Sequence, residues 1–393
     1  MVKLLEDIII VDLSQFLSGP SAALRLADMG AQVIKIERPD TGDICRHLYV
    51  SDVIIEGESS IFHAINRNKQ SYAADLKKDA DLQKVKQILQ RADVLLHNFR
   101  PGVMERLGLD YETVKALNPQ IVYAEITGFG SEGPWKDLPG QDLLLQAASG
   151  LTWLSNSQSE NPTPMGVAVV DILAGTHIAQ GILACLYRRT ISGEGGLVQV
   201  SMLESILDFQ FEVITCFYND GGALPVRSAV NGGHAYIAAP YGIYATKDGH
   251  LALAMGDILI LGILLTCPEL LIFEDSAQWF SRRDEIKQIL ANHLVSKTTK
   301  EWLDILEPAD IWCAKVLDYQ LLMQETGYQE LNMELVVKTS KGVAVTTTRC
   351  PIRVDGEILV SEKGAPLLGE HNAEIEQQFN IIDTKELQPI ASF

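Results

Sequence analysis

What this chain of 393 residues lacks closes off several chemistries. Its six cysteines, Cys45, Cys185, Cys216, Cys267, Cys313 and Cys350, lie far apart with no C-x-x-C pair. Scattered thiols of this kind are expected to be reduced and the protein cytoplasmic. No metal is expected, because no group of His, Cys and carboxylate residues has ligand spacing. Positive charge is scarce: 32 Lys and Arg against 51 Asp and Glu give a net charge of −19. That sign argues against a nucleic acid or an anionic membrane as partner. The longest apolar run, 258–267, is too short to span a bilayer and is bounded by Asp257, Pro268 and Glu269. Glu6 and Asp7 stand ahead of the first apolar run, unlike a signal peptide. The sequence shows no internal repeat, no low-complexity segment and no G-x-S-x-G elbow.

What is present begins with residues 8–39. Residues 8–13 are an apolar, β-branched run of the kind that forms a strand buried on both faces. Gly19 and Pro20 follow; proline is favourable at a first helical position, where its missing N–H would be unpaired anyway. A helix is predicted over 21–29, stopped by Gly30, which suits the left-handed position past a helix end. Residues 32–36 form a second buried strand, followed by Glu37 and Arg38. This is the strand, helix, strand unit of a nucleotide-binding fold. Its loop, Ser14-Gln15-Phe16-Leu17-Ser18-Gly19-Pro20, lacks the G-x-G-x-x-G that lets a backbone approach a dinucleotide pyrophosphate. An NAD(P) oxidoreductase is disfavoured on that ground.

Short apolar segments then alternate with amphipathic ones as far as about residue 200. Strands are predicted at 94–97 and 121–126, helices at 81–91, 111–117 and 171–189, and a turn at 193–196 leads to a strand at 198–200. The pattern is that of a doubly wound α/β domain. Residues 201–218 read as one long helix, and 219–233, rich in Gly, Asn and Pro, as a linker or mobile loop. Apolar runs at 241–246 and 251–254 flank Lys247-Asp248-Gly249-His250 and predict a hairpin. Helices follow through 306, and strands return at 343–348 and 357–361. The expected organisation is a large Rossmann-like α/β domain at 1–200, a linker helix and loop at 201–228, a smaller α+β domain at 229–330, and a return segment at 331–393 that completes the large domain.

Asp171 ends the apolar run 167–170 and precedes a helix. Two readings fit: an N-cap carboxylate, or a nucleophile kept ionised by the helix dipole. Asn98-Phe99-Arg100-Pro101-Gly102 follows the strand 94–97, at the strand end where open α/β sheets bind ligands, and Arg106 lies one turn on. Arg38 follows the second strand, where Rossmann proteins read a ribose phosphate. Arg46, Arg67, Lys69, Lys77, Lys78 and Lys136 fit solvated surface. Gly128-Phe129-Gly130 and Gly232-Gly233-His234 are turns able to offer backbone N–H groups to an oxyanion. His177 is expected to pack rather than react.

Taken in order, these segments resemble the class III CoA-transferases, the family of formyl-CoA transferase and carnitine CoA-transferase. The resemblance runs nearly end to end. It includes Gly19-Pro20, Ile34-Lys35-Ile36-Glu37, Gly42-Asp43 with Arg46, Asn66-Arg67-Asn68-Lys69 and Asp75-Leu76-Lys77. It continues through Asn98-Phe99-Arg100-Pro101-Gly102, Gly128-Phe129-Gly130, Gln146-Ala147-Ala148-Ser149-Gly150, Val198-Gln199-Val200-Ser201-Met202-Leu203, Asp310-Ile311-Trp312-Cys313-Ala314 and Leu368-Gly369-Glu370-His371. It implies that Asp171 is a nucleophile, passing through an acyl-aspartyl anhydride and an aspartyl-CoA thioester. It implies that Gln15, Phe16, Leu17, Ser18, Asn98 and Phe99 hold coenzyme A, with Arg38, Lys77 and Arg106 at its adenosine and phosphates; Lys136 is expected among the residues that bind it. Gly232 and Gly233 correspond to a loop that closes over the site. Acyl-CoA is then a substrate, no cofactor is permanently bound, and two chains interlock as a homodimer. Leu17 replaces the glutamine of oxalate-using members, which disfavours oxalate.

An α-methylacyl-CoA racemase shares the expected fold, but such enzymes carry a histidine before the aspartate at the position of Asp142. This chain has Gln141, which cannot act as a general base. A catalytically silent CoA-binding protein is disfavoured by the retention of Asp171.

Overall fold

The structure is a computed structural model that describes residues 4–48 and 52–382; the end of the expected return segment, 383–393, lies outside them. The chain falls into two compact units. The first takes the chain up to Leu145, Ala168–Ile206 and the chain from Leu331, and the second takes Gln146–Val167 and Leu207–Glu330. The expected boundaries at 200 and 228 are thereby redrawn. Residues 146–167 belong to the second unit, and 207–228 are part of it rather than a separate linker. The reason is mutual fastening. Arg227 donates to the carbonyls of Ser155, Gln158 and Glu160 at 2.7, 3.3 and 3.0 Å, and Gln210 donates to that of Ser149.

In chain order the first unit begins with β1 (Ile9–Asp12), α1 (Ser18–Asp28) and β2 (Gln32–Glu37). A two-strand ribbon, β3 (Ile54–Ile55) and β4 (Glu58–Ser59), precedes α2 (Ser60–Asn66), β5 (Gln70–Ala73) and α3 (Asp79–Leu89). Then come β6 (Val94–His97), α4 (Val103–Leu107), α5 (Tyr111–Leu117), β7 (Val122–Thr127) and α6 (Asp142–Ala148). After α7 (Leu151–Leu154), in the second unit, α8 (Val169–Ser192) and β8 (Gly196–Ser201) complete the run. Six of these strands make one sheet in the order β5-β2-β1-β6-β7-β8, every pair parallel. The winding reverses between β1 and β6, so the loops that leave these two strands flank the crevice where doubly wound sheets bind their ligands.

Both sheet faces are covered, as an all-parallel sheet requires. On one face α3, α5 and the helix Asn372–Phe379 bury Val85, Ile88, Val114, Ile375 and Phe379 against Val11, Ile34, Tyr72, Leu95 and Tyr123. On the other, α1 and α8 pack together. Among the described residues, α8 is the one helix long and apolar enough to cross a membrane by length and composition. In the fold it is a core helix: Val170, Ala174, Ile178 and Ile182 recur every four residues as its buried stripe. Gly175 allows its close approach to α1, because a Cβ there would lie 2.6 Å from the Ser18 carbonyl oxygen and against the Ser21 hydroxyl.

The second unit holds an antiparallel sheet, β9 (Gly242–Ala245), β10 (His250–Leu253) and β11 (Cys313–Lys315), in the order β11-β10-β9. The hairpin around Asp248-Gly249 forms as the sequence predicts. The single helix expected at 201–218 is two, α9 (Met202–Phe209) and α10 (Phe211–Asn219), broken at Gln210. The helices α11 (Ile258–Leu265), α12 (Arg283–Leu294) and α13 (Thr299–Leu306) bury Ile258, Leu261, Ile286, Leu290 and Trp302 against Tyr244 and Leu251 of the sheet. The stretch expected as a linker or mobile loop is tied down here. Lys287 donates to the Ser228 hydroxyl at 2.8 Å and the Asn231 carbonyl at 3.3 Å, and Arg283 to the carbonyls of Val226 and Ala235.

The contact at Gly175 gives a test with opposed terms. Alanine favours a helix over glycine by about 1 kcal/mol, while overpacking a tight core costs about 1–3 kcal/mol. Gly175→Ala is expected to lower the urea midpoint, and a raised midpoint would show that α1 and α8 do not meet this closely.

Candidate active site

The loop after β1 is held at every step. Asn98, the first residue after β6, works as a backbone mimic: its Oδ1 accepts the Gln15 N–H at 2.8 Å, and its Nδ2 donates to the Gln15 carbonyl at 2.7 Å and the Ser18 hydroxyl at 3.3 Å. Phe16 has φ of 62°, a left-handed conformation that a bulky residue rarely adopts. Its N–H donates to Asp43 at 3.3 Å. Lys35 Nζ donates to the Ser14 carbonyl at 2.8 Å, and Lys69 Nζ to the Pro20 carbonyl at 3.0 Å.

Beneath the loop lies a buried charge network. Its place follows from strand periodicity, since alternate side chains share a face. Asp12 pairs in register with Lys35, and Lys35 with Ser71. These residues, with Glu37, point away from the apolar face that carries Val11, Ile34, Ile36 and Tyr72. Lys69 meets Asp12 at 3.0 Å, Lys35 meets Asp43 at 2.8 Å, and Arg46 meets Glu37 and Glu58 at 2.7 Å each. Arg67 grips Asp28 with two bonds of 2.6 and 2.8 Å. The expectation that Arg46, Arg67 and Lys69 are solvated surface is therefore overturned: all three are buried. Burial by itself would raise the Asp12 carboxyl, but Lys69 and Lys35 beside it and the Ser14 hydroxyl bring it below the ordinary carboxylate range. Burial pulls Lys69 down to about 8 against the attraction of Asp12.

Asp171 is half-buried in the first turn of α8, as the third helical residue. It is not the N-cap. The helix begins one turn's width earlier, after Ala168, which offers no capping side chain. The cap comes from elsewhere: Asp142 Oδ1 accepts the N–H groups of Val170 and Asp171 at 2.7 and 3.2 Å. The Asp171 carboxylate is thus free to face α1, where it accepts from the hydroxyl and the N–H of Ser18. Burial and the nearby Asp142 charge push Asp171 up to about 6, outweighing the Ser18 bonds.

The structure thus brings Gln15, Phe16, Ser18, Asn98 and Asp171 together at the switch point. Asn98 spends its amide on the first loop rather than on solvent. Leu17 packs by Phe62, Cys45 and Ala365. Phe99 stacks on His97, with ring centroids 6.1 Å apart, and lines a separate cavity of about 360 Å3 with Arg100, Tyr111 and Tyr123. Glu105, Asp110, Glu112 and Glu125 also line that cavity, which makes it unsuited to phosphate. Arg38, Lys77, Arg106 and Lys136 are exposed. Gly232 and Gly233 belong to the second unit, where a Cβ on Gly232 would lie 2.7 Å from the Asn156 carbonyl oxygen and one on Gly233 2.9 Å from the Tyr241 ring. His177 bonds the Ser205 hydroxyl at 3.0 Å. Sequence reasoning missed Asp142 as the cap of α8, since nothing in local spacing links residues 142 and 171.

The profile of CoA-transferase family III matches residues 5–372, so the chain belongs to that family. It is an enzyme of the class III CoA-transferase family. The chain is 30% identical to the succinate–glutarate CoA-transferase of Agrobacterium fabrum, with 96% of each chain covered. It is 30% identical to the acetyl-CoA:oxalate CoA-transferase of Acetobacter aceti, over 97% of each. It is 31% identical to the succinyl-CoA:mesaconate CoA-transferase of Haloarcula hispanica, over 94% of this chain and 95% of that one. Among solved structures, a CaiB/BaiF family protein from Brucella suis superimposes with a TM-score of 0.81 at 27% identity, covering 95% of this chain and 98% of that one.

If the charge network holds the loop, removing one member must be costly. Arg46→Met leaves Glu37 buried without its partner and is expected to destabilise by about 3–5 kcal/mol, whereas the exposed Lys78→Met should change little. Chemical denaturation of both variants decides it; equal, small effects would contradict a structural role for Arg46.

Proposed function

We propose that this enzyme moves coenzyme A from an acyl-CoA to a free carboxylic acid by covalent catalysis on Asp171. The observation that carries this reading is the Asp171 carboxylate, presented at the start of α8 to Ser18 of the switch-point loop and raised to about 6. At neutral pH such a group is ionised, and it is more basic, hence more nucleophilic, than an ordinary aspartate. An oxygen of Asp171 attacks the thioester carbonyl carbon; the C–S bond breaks and the electron pair leaves on CoA thiolate, giving an anhydride. The thiolate then attacks Cγ of Asp171, and the donor acid departs as carboxylate, leaving an aspartyl-CoA thioester. The acceptor carboxylate attacks the same carbon and expels the thiolate, which takes the acceptor's acyl group from the second anhydride. A carboxylate nucleophile suits this exchange, because each half-reaction swaps one carboxyl derivative for another and stays nearly balanced.

Coenzyme A lies along Gln15 to Ser18 and the Asn98-Phe99 turn in this reading, with Arg38, Lys77 and Arg106 supplying positive charge to its phosphates and Lys136 a further cation for its binding. The exposed state of the four cations fits contact with a ligand that reaches solvent. Glutarate, oxalate and mesaconate, the acids in the relatives' names, are all dicarboxylic. Leu17, apolar and beside the site, favours an acceptor longer than oxalate, with succinyl-CoA or acetyl-CoA as donor. The active form is a homodimer in the cytoplasm: α8 and α10 expose Ile172, Tyr187, Ile191, Phe211 and Tyr218, and all six cysteines are free.

Donor acyl-CoA with hydroxylamine should inactivate the enzyme by turning Asp171 into a hydroxamate, seen by mass spectrometry. Full transfer activity in Asp171→Ala would sink the mechanism. Because the carboxylate must be ionised to attack, kcat/KM should fall as pH drops through about 6. A screen of free acids against succinyl-CoA and acetyl-CoA identifies the acceptor. Exchange of an α-deuteron without any acceptor acid would favour a racemase instead.

A further inference from the structure

We propose that Asp142 is a positioning residue for Asp171: it closes the N-terminus of α8 and sets a second negative charge against the nucleophile, so that acylation of Asp171 relieves a repulsion built into the site. The proposal rests on the reading of Asp171 as the nucleophile.

The geometry has two parts. The first N–H groups of any helix lack partners within it, and α8 begins at Ala168 with no capping side chain. Asp142 Oδ1 accepts two of those groups, and one of them is the N–H of Asp171 itself. The cap therefore grips the backbone of the reacting residue and fixes the direction in which its side chain leaves the helix. Asp142 is brought there by the return of the chain through 128–140, where Gly128 and Gly140 pack backbone to backbone; a Cβ on either would lie 2.6 Å from the other's Cα.

The second part is charge. From α1, Ser18 faces Asp171 with a hydroxyl and an N–H. From the turn Ile44–Arg46, Cys45 faces it as a neutral thiol, since burial and Asp43 push that group up to about 12. From α6 comes Asp142. On α8 itself, His177 lies beyond the first turn and bonds Ser205. Of the charged side chains, Asp142 acts most strongly on Asp171. Two carboxylates thus share one helix N-terminus, whose dipole offsets only part of their repulsion. Protonation and acylation each remove the Asp171 charge, so a neighbour that favours the one favours the other by the same amount.

Asp142→Asn separates the parts, because its amide oxygen still caps α8 while the charge is gone. The acid limb of kcat/KM is expected to move down by about one pH unit, and the fraction of wild-type enzyme held as covalent CoA thioester at equilibrium with donor to fall about tenfold. Intact-protein mass spectrometry reads that fraction. Asp142→Glu should restore both, and Asp142→Ala should add a loss of helix stability visible in Tm. An acid limb and an adduct fraction unchanged in a folded Asp142→Asn would overturn the proposal and leave burial alone in control of Asp171. Failure of the nucleophile reading looks different: the wild-type enzyme itself would then form no adduct, or Asp171→Asn would still form one.

Discussion

The pairing of buried charges at the strand ends of β1, β2 and β5 is the constraint on which the site depends. Asp12, Lys35, Glu37, Lys69, Arg46 and Asp43 are almost wholly removed from solvent. An isolated buried ion costs several kcal/mol, so each must find its partner and keep it. These partners also reach the main chain. Lys35 holds the Ser14 carbonyl, Lys69 that of Pro20, and Asp43 the Phe16 N–H. A loop tied at so many points tolerates the left-handed Phe16, because the surroundings over-determine its backbone. The result is a rigid loop where a dinucleotide-binding protein would carry flexible glycines.

That rigidity is passed to Asp171 through α1. The loop delivers Ser18 to the start of the helix, Asn98 fixes Ser18 from the other strand, and Gly175 lets α8 come close enough for Asp171 to reach it. Opposed effects meet at this carboxylate. The α8 dipole and the Ser18 bonds favour its charge, burial and Asp142 disfavour it, and the latter pair wins. The carboxylate stays ionised at neutral pH while gaining basicity, as the proposed covalent role would require.

Much of the scaffold was legible in local pattern. The strand Val94–His97 and the helix Tyr111–Leu117 coincide with their predicted ranges, and the hairpin around Asp248-Gly249 forms as its turn residues require. Errors arose where distant groups decide. The predicted helix 201–218 breaks at Gln210, whose side chain donates to the Ser149 carbonyl. The loop 219–233 reads as free from its Gly and Asn content, but Arg227, Arg283 and Lys287 fasten it. Arg46, Arg67 and Lys69 look like surface because a lone cation normally is, and each is buried by a carboxylate far away or in another element.

By itself the sequence determined the alternation of buried strands and helices, the absence of a dinucleotide fingerprint and the ordered set of motifs that mark the family, because these are encoded in short-range periodicity and residue type. It also singled out Asp171 at a helix start. Only the tertiary structure decided how Asp171 is placed there and which groups it meets. The N-cap role that local spacing allows went to Asp142, from 29 residues upstream, and the Asp171 carboxylate was turned toward Ser18. Electrostatic and capping partners are chosen by proximity in space, and at the switch point of a doubly wound sheet that proximity is set by strand order, which no local window contains.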